Sequence, residues 1–481
     1  MAKTSTLVQL SMPTSQLVSL NSLLCEKLIE RDLRVPFLLS VALMLKQIIL
    51  LVSLTFGAVF STNVFADTIS PLPLKQRAEV VDELLQQRVQ KLLPELMRKA
   101  DIDMWVLISR EYNEDPVLKT FLPSDWLSAR RRTILLIHDP GEDKNLETLA
   151  IARYDVGEVF KSAWNPEQQP DQWKRLAQII AERNPASIAI NQSKDFAQAD
   201  GITATDKELF MAALPDNLDS KIVSAEPLAV SWLEKRIEAE LPYYRDAVKL
   251  AHQIIAEGFS DKVIAVGETT TEDLQWWFRE RAAQENLPVW FHPSVSVQRI
   301  NDPQPGHPRS TGVTIQRGDL LHVDFGITYL RLNTDTQQHA YVLQEDESNA
   351  PDTLKQALAN ANQLQDILTA QFEETRSGNE ILLAALEQAK DKGLEPMIYT
   401  HPIGYYGHGS GPTIGMWDKQ HAIPGGGEYP LFSNTAYSIE LNNKTTFEDK
   451  TITIMLEEDA FFDGDGVSYL NGRQQSFHLI D

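Results

Sequence analysis

The chain has 481 residues, of which 43% are hydrophobic and 23% charged, the composition of a globular protein. This length exceeds the usual size of a single hydrophobic core, so we expect two domains and a processed segment. The formal net charge of −23 argues against a nucleic-acid partner, because it would repel phosphate groups.

The N-terminal segment has the pattern of a secretory signal. Residues 44–66 combine a short basic start, an apolar run from Ile48 to Phe60, and small residues at Val64 and Ala66 before Asp67. The run is short for a membrane span, so we predict cleavage after Ala66 and no stable membrane association thereafter. An uncleaved membrane anchor is the alternative.

Residues 1–43 precede this signal and have no evident role, so we interpret them as a non-native extension and expect translation to start at Met44. The single cysteine, Cys25, lies in this extension. A mature chain without cysteine has no disulfide, and export without disulfides fits a bacterial periplasm; we predict a periplasmic or secreted protein.

Residues 67–230 have the pattern of an α/β domain. Apolar residues recur at helical spacing from Lys75 to about Ala100, and Pro94 predicts a bend there. Short aliphatic runs then alternate with helical stretches, which predicts a mixed sheet flanked by helices. The predicted strands are Met104–Ser109, Thr133–Asp139, Leu149–Asp155 and Ser187–Asn191.

Residues 231–481 follow a different order, of helices, strands, helices and strands, which predicts an α+β catalytic domain. Amphipathic helices are expected from Trp232 to Phe259 and after the start signal Thr269–Thr271. The chain then becomes rich in β-patterned runs, interrupted by a helical block at about Pro351–Gly393.

Acidic residues interrupt or end several of these β-patterned runs. A carboxylate inside an apolar run is unfavourable to bury unless it is paired or binds a metal. Any one of them could instead be a strand end that meets solvent. Together they form a ligand set suited to two divalent metals: Asp324, Asp335, His401, Glu440 and Glu457. Oxygen-rich ligation with one imidazole favours Mn²⁺, with Co²⁺, Zn²⁺ or Fe²⁺ as alternatives.

These residues and spacings resemble the pita-bread metallopeptidases, the family of methionine aminopeptidase, aminopeptidase P and prolidase, with creatinase as a non-peptidase relative. The resemblance runs from about Trp232 to the C-terminus. Asp324 and Asp335 match the eleven-residue step between the first two metal ligands, and His401-Pro-Ile-Gly404 matches the histidine motif. The resemblance implies a pita-bread catalytic domain preceded by a smaller creatinase-type α/β domain.

The resemblance also implies residue roles. Asp324 would be a terminal ligand, Asp335 and Glu457 bridging ligands, and His401 a ligand of the second metal. Glu440 would be a ligand and the general base. His307 and His408 lie at the spacings of two histidines that hydrogen-bond the scissile amide and the developing negative charge. In the competing assignment, His408 replaces His401 as the metal ligand.

The implied activity is hydrolysis of the Xaa-Pro bond at the N-terminus of small peptides or in dipeptides, and the family makes a homodimer the expected assembly. Three departures from the family pattern concern the pocket. Gln338 stands where relatives often have arginine, Leu-Asn-Asn follows Glu440, and Gly409 follows His408. The alternatives are a creatinase-like C–N hydrolase, which needs no metal, and a non-catalytic binding module.

Overall fold

The computed structural model describes residues 68–142, 144–299, 312–448 and 450–481. The predicted extension and signal peptide, and the predicted site residue His307, lie outside these residues. Ile69–Asp481 form one compact unit. Within the described ranges, no helix is both long enough and apolar enough to cross a membrane.

The first part of the described chain is a six-stranded mixed sheet with helices around it, as expected. Strand order is β4-β3-β2-β1-β5-β6, with β1 antiparallel to β2 and parallel to β5. The strands are β1 (Met104–Arg110), β2 (Arg132–His138), β3 (Glu147–Ala150), β4 (Lys161–Ser162), β5 (Ile188–Ile190) and β6 (Ile222–Ser224). The helices are α1 (Leu74–Gln87), α2 (Leu93–Lys99), α3 (Pro116–Phe121), α4 (Gln172–Arg183) and α5 (Ala204–Ala213).

Two local features of this region follow from single residues. A π-helical turn, Arg88–Leu92, separates α1 from α2 next to Pro94, which has no N–H for the regular helical bond. The predicted strand Leu149–Asp155 is wrong beyond Ala150. The chain turns there, and Asp155 accepts a hydrogen bond at 2.7 Å from the backbone N–H of Ser162.

The helix predicted from Trp232 to Phe259 is two helices, α6 (Glu226–Glu234) and α7 (Leu241–Gly258). Pro242 cannot occupy a helix interior, and it stands in the first turn of α7. Between them the backbone is extended at Lys235 and Ile237 and then forms a 3₁₀ turn at Glu238–Glu240. In the extended part, Arg236 donates its N–H to the carbonyl of Asn434 at 2.7 Å. The predicted domain boundary at residues 230 and 231 falls inside α6 and remains a prediction.

The remaining chain has the predicted α+β character. Its helices are α8 (Thr271–Gln284), α9 (Asp352–Thr369) and α10 (Gly378–Asp391). Its strands include β7 (Ser294–Arg299), β8 (Asp319–Phe325), β9 (Thr328–Tyr329), β10 (Leu332–Asn333), β11 (Thr336–Val342), β12 (Glu395–Ile398), β13 (His401–Pro402) and β14 (Thr435–Ser438). The last strands are β15 (Leu441–Phe447), β16 (Lys450–Leu456), β17 (Asp459–Phe462), β18 (Val467–Tyr469) and β19 (His478–Ile480).

Three small sheets of this region position the site. They have the orders β19-β11-β8-β7, β12-β15-β16 and β13-β14-β17-β18. One hydrophobic core packs α7 and α8 against β7, β8 and β11. A second packs α9 and α10 against the strands that follow. The predicted ligands therefore lie on, or directly next to, strands that helices pack against.

Candidate metal centre

The two predicted aspartates meet because a short ribbon separates them in sequence. Strands β8 and β11 pair antiparallel, with Phe325 opposite Thr336, which brings Asp324 and Asp335 to the same end of the pair. The ten residues between them contain the β9–β10 ribbon. Leu330 and Arg331 make its turn, both with positive φ, as a tight hairpin of this kind requires. The eleven-residue step between Asp324 and Asp335 is therefore the number of residues needed to form this ribbon and return to the same end of the β8–β11 pair.

The two predicted glutamates meet in the same way. Glu440 directly precedes β15 and Glu457 directly follows β16, and Leu441 pairs with Leu456 where these antiparallel strands begin and end. Glu457 also exchanges both backbone hydrogen bonds with Gln337, at 3.0 and 3.2 Å. This bridge joins the pair of glutamates to the strand that follows Asp335.

His401 is buried and presents one ring nitrogen to the carboxylates. Its Nδ1 lies 3.0 Å from the carbonyl oxygen of Pro402, which can only accept, so Nδ1 carries the proton. Nε2 lies 3.6 Å from Glu457 and 3.9 Å from Asp335, and it has no hydrogen-bond partner among the described residues. Its lone pair is therefore available to a metal.

All five predicted ligands come together, in two overlapping groups. Ligand atoms of Asp324, Asp335 and Glu457 lie within 4.8 Å of one another, and those of His401, Glu440 and Glu457 do so as well. Because Glu457 belongs to both groups, the arrangement fits two neighbouring cations that share one carboxylate.

Electrostatics supports this fit. Burial, followed by the charges of Glu457 and Asp324, raises the pKa of Asp335 well above its usual range, and the same causes raise the pKa of Glu440. Buried Oδ1 of Asp335 also has no hydrogen-bond partner among the described residues. Asp335 and Glu440 cannot both ionise beside their neighbours without compensating charge, and divalent cations would supply it.

His408 lies beside the cluster. Its exposed ring is 4.7 Å from the ring of His401 and 5.3 Å from the ring of Trp290, between centroids. Asp335, His401 and His408 form a third group of ligand atoms within 4.8 Å, so the alternative assignment of His408 stays open. The backbone carbonyl of His408 accepts a hydrogen bond from Gln198 Nε2 at 2.7 Å.

The sequence analysis placed Gln338 at the pocket, but its neighbour Gln337 is the glutamine that contacts the predicted ligands. Gln338 faces away from the cluster and donates to Glu458 at 3.0 Å. Its neighbour Gln337, which sequence reasoning missed, donates to Glu440 at 2.8 Å and to Glu457 at 2.7 Å. Strand alternation was the available signal, because Gln337 lies two residues after Asp335 and so shares its face.

Comparisons with known proteins agree with the predicted fold. Residues 243–462 match the model of Metallopeptidase family M24, whereas no curated protein matches the chain. X-Pro aminopeptidase from Thermotoga maritima MSB8 is 18% identical, with a TM-score of 0.58 over 80% of this chain and 99% of that one. Xaa-Pro dipeptidase from Bacillus anthracis is 15% identical, with a TM-score of 0.53 over 85% and 100%. The His350Ala variant of Escherichia coli aminopeptidase P is 10% identical, with a TM-score of 0.53 over 84% and 96%. At these identities the structural likeness shows the fold, which is the predicted one.

Proposed function

The C-terminal domain is a metallopeptidase domain of family M24, and on this premise we propose that the protein is a dinuclear metal-dependent exopeptidase that hydrolyses Xaa-Pro bonds. Its substrates would be small peptides with proline in second position, or Xaa-Pro dipeptides. The observation that carries the proposal is the pair of ligand groups that share Glu457. The preference for proline is supported by the fold shared with proteins named X-Pro aminopeptidase and Xaa-Pro dipeptidase.

One cation would be held by Asp324, Asp335 and Glu457, and the other by His401, Glu440 and Glu457. The ligand types favour Mn²⁺, with Co²⁺, Zn²⁺ or Fe²⁺ as alternatives. When bound, such a pair supplies Lewis-acid polarisation of the peptide carbonyl and lowers the pKa of water.

The chain's own residues supply the remaining chemistry. Gln337 already occupies Oε1 of Glu440, which leaves the second oxygen of that carboxylate to take a proton from the attacking water. His408, beside His401, would donate a hydrogen bond to the negative charge that develops on the substrate. We assign His307 a similar contact with the scissile amide, on its sequence position alone.

The alternatives from the sequence predict different metal behaviour. A creatinase-like hydrolase would work without metal, and a binding module would not need a general base. The convergence of all five metal ligands favours the peptidase over both.

The test is to load the purified protein with Mn²⁺ and compare Xaa-Pro-containing peptides with matched Xaa-Ala peptides. We expect release of the N-terminal residue from the proline series only, and loss of this activity on chelation. Turnover that is indifferent to chelation would contradict the dinuclear mechanism. Bound metal without turnover of any peptide would contradict the peptidase assignment.

We also propose that the protein is exported to the periplasm, on the apolar run Ile48–Phe60 and the small residues before Asp67. Cell fractionation and N-terminal sequencing of the native protein test this, and a chain that retains residues 44–66 would contradict it. A homodimer remains a prediction, which light scattering on the purified protein would test.

A further inference from the structure

Gln337 lies between two of the proposed metal ligands. It stands on β11 opposite Asp324, and its side chain is buried. Its amide nitrogen donates to Oε1 of Glu440 at 2.8 Å and to Oε2 of Glu457 at 2.7 Å. An ionised carboxylate accepts hydrogen bonds and cannot donate one, so the nitrogen of the amide, and not its oxygen, must face the two glutamates. Both amide protons are thereby used.

The other end of the amide is fixed by a histidine. The amide oxygen of Gln337 lies 2.9 Å from Nε2 of His322, and since this oxygen can only accept, Nε2 must donate. Nδ1 of His322 lies 3.4 Å from the hydroxyl of Ser296, which can donate to it. The three side chains form a continuous chain of hydrogen bonds that ends on the two glutamates.

Glu457 is held at both oxygens as a result. Its Oε1 accepts from the hydroxyl of Ser438 at 2.6 Å, and its Oε2 accepts from Gln337. A neutral amide can link Glu457 to Glu440 without adding charge to a site that is already acidic. Without it, two neighbouring carboxylates would repel each other and turn apart.

We propose that Gln337, oriented by His322 and Ser296, is the positioning residue that holds the general base Glu440 and the shared ligand Glu457 in their working geometry. The inference rests on the proposed function, and it assigns to Gln337 a role that is distinct from that of any ligand. Groups that orient metal ligands in this way affect metal affinity or activity by about 10- to 100-fold.

Gln338 offers a matched control. It is the next residue of the same strand, and both glutamines are 6% exposed. It also donates to a glutamate, Glu458, at 3.0 Å, and accepts from a histidine, His478, at 3.0 Å. The two residues differ in the face of the strand they occupy, so a general effect of removing a buried amide appears equally in both variants.

The experiment compares Gln337→Met with Gln338→Met in the full chain, through Mn²⁺ affinity by calorimetry and steady-state kinetics at saturating Mn²⁺. We expect Gln337→Met to weaken Mn²⁺ binding and lower kcat by about 10- to 100-fold each, with KM changed by less than about threefold. Gln338→Met should lower the melting temperature and leave Mn²⁺ affinity and kcat within about threefold. Gln337→Asn, whose shorter amide cannot reach both glutamates, serves if the methionine variant does not fold.

A second comparison tests the chain of hydrogen bonds. His322→Leu should reproduce part of the loss, and adding it to Gln337→Met should lower kcat no further, because both changes break the same chain.

Equal losses in the Gln337 and Gln338 variants would overturn the proposal, as would unchanged Mn²⁺ affinity and kcat in Gln337→Met. If the wild-type chain cleaves no peptide, the proposed function fails, and the calorimetric comparison still decides the role of Gln337 toward the metal.

Discussion

Strand β11 has a buried glutamine on each of its two faces, Gln337 on one and Gln338 on the other. Each glutamine contacts at least one glutamate and one histidine, but the two faces differ in the number of carboxylates nearby. On one face, Gln337 contacts Glu440 and Glu457 beside two further carboxylates. On the other, Glu458 Oε1 accepts from Gln338 and from the backbone N–H of Gln474, and its Oε2 lies 2.8 Å from Nε2 of His252 without the geometry of a hydrogen bond. A single buried carboxylate beside one histidine is typical of a structural contact, whereas four carboxylates around one imidazole need cations to balance their charge.

The largest effect is expected from Asp335→Asn, which removes a charge from the acidic face. The variant should lose at least one bound ion per chain and all detectable peptidase activity, because Asp335 belongs to two of the ligand groups. Elemental analysis and peptide assays measure the two quantities. Full metal content and activity in this variant would show that the ligand assignment is wrong.

Glu440→Gln removes the proposed general base and leaves the ligand group of Asp324, Asp335 and Glu457 unchanged. We expect kcat to fall by about 10²–10⁴-fold, the usual contribution of general base catalysis. At least one ion should remain, since Asp324, Asp335 and Glu457 are untouched. Elemental analysis of the same preparation provides the control, and a kcat close to that of the wild type would remove Glu440 from the mechanism.

Glu234 represents a third way to bury a carboxylate, by keeping its proton. Burial raises the pKa of Glu234 to about 7, and its Oε2 has no hydrogen-bond partner among the described residues. Its Oε1 accepts from the backbone N–H of Ser410 at 2.7 Å, which an amide oxygen can replace. Because this pKa is higher in the folded than in the unfolded chain, folding stability should fall as pH rises from about 4.5 to 7 and level off above.

Glu234→Gln should remove this loss, which amounts to roughly 2–3 kcal/mol of unfolding free energy for a shift of this size. Denaturant unfolding at pH 5 and pH 8 measures it, as the change in the difference between wild type and variant. Glu238→Gln, at an exposed position close by, is the control and should show no such change. Parallel pH dependence in wild type and Glu234→Gln would mean that Glu234 is ionised throughout.

The smallest functional effect is expected on the other face of β11. Glu458→Gln should lower the unfolding free energy by about 1–3 kcal/mol, because an amide is a weaker acceptor than the carboxylate for the buried hydrogen bonds from Gln338 and the backbone N–H of Gln474. Metal content and kcat should stay within about threefold of the wild type, in contrast with Asp335→Asn. A loss of metal from this variant would contradict the claim that only one face of β11 contributes to metal binding.

Most of the candidate site could be proposed from the sequence because its proposed ligands lie at or next to strand ends, where alternation and apolar runs can be read directly. Asp324, Glu440 and Glu457 were proposed in this way, and Asp335 was proposed from its eleven-residue spacing. Gln337 was missed because its importance depends on two glutamates from strands more than a hundred residues away. The break before Leu241 could have been predicted from Pro242, which cannot occupy a helix interior. The pairing of the intervening backbone with Asn434 could not, because Asn434 is still more distant in sequence.

The most direct test of the account is anomalous diffraction from crystals of the Mn²⁺-loaded protein. We expect two manganese peaks per chain. One should lie next to Asp324, Asp335 and Glu457, and the other next to His401, Glu440 and Glu457. A single peak, or a peak held by Glu458 and His252 on the other face of β11, would contradict it.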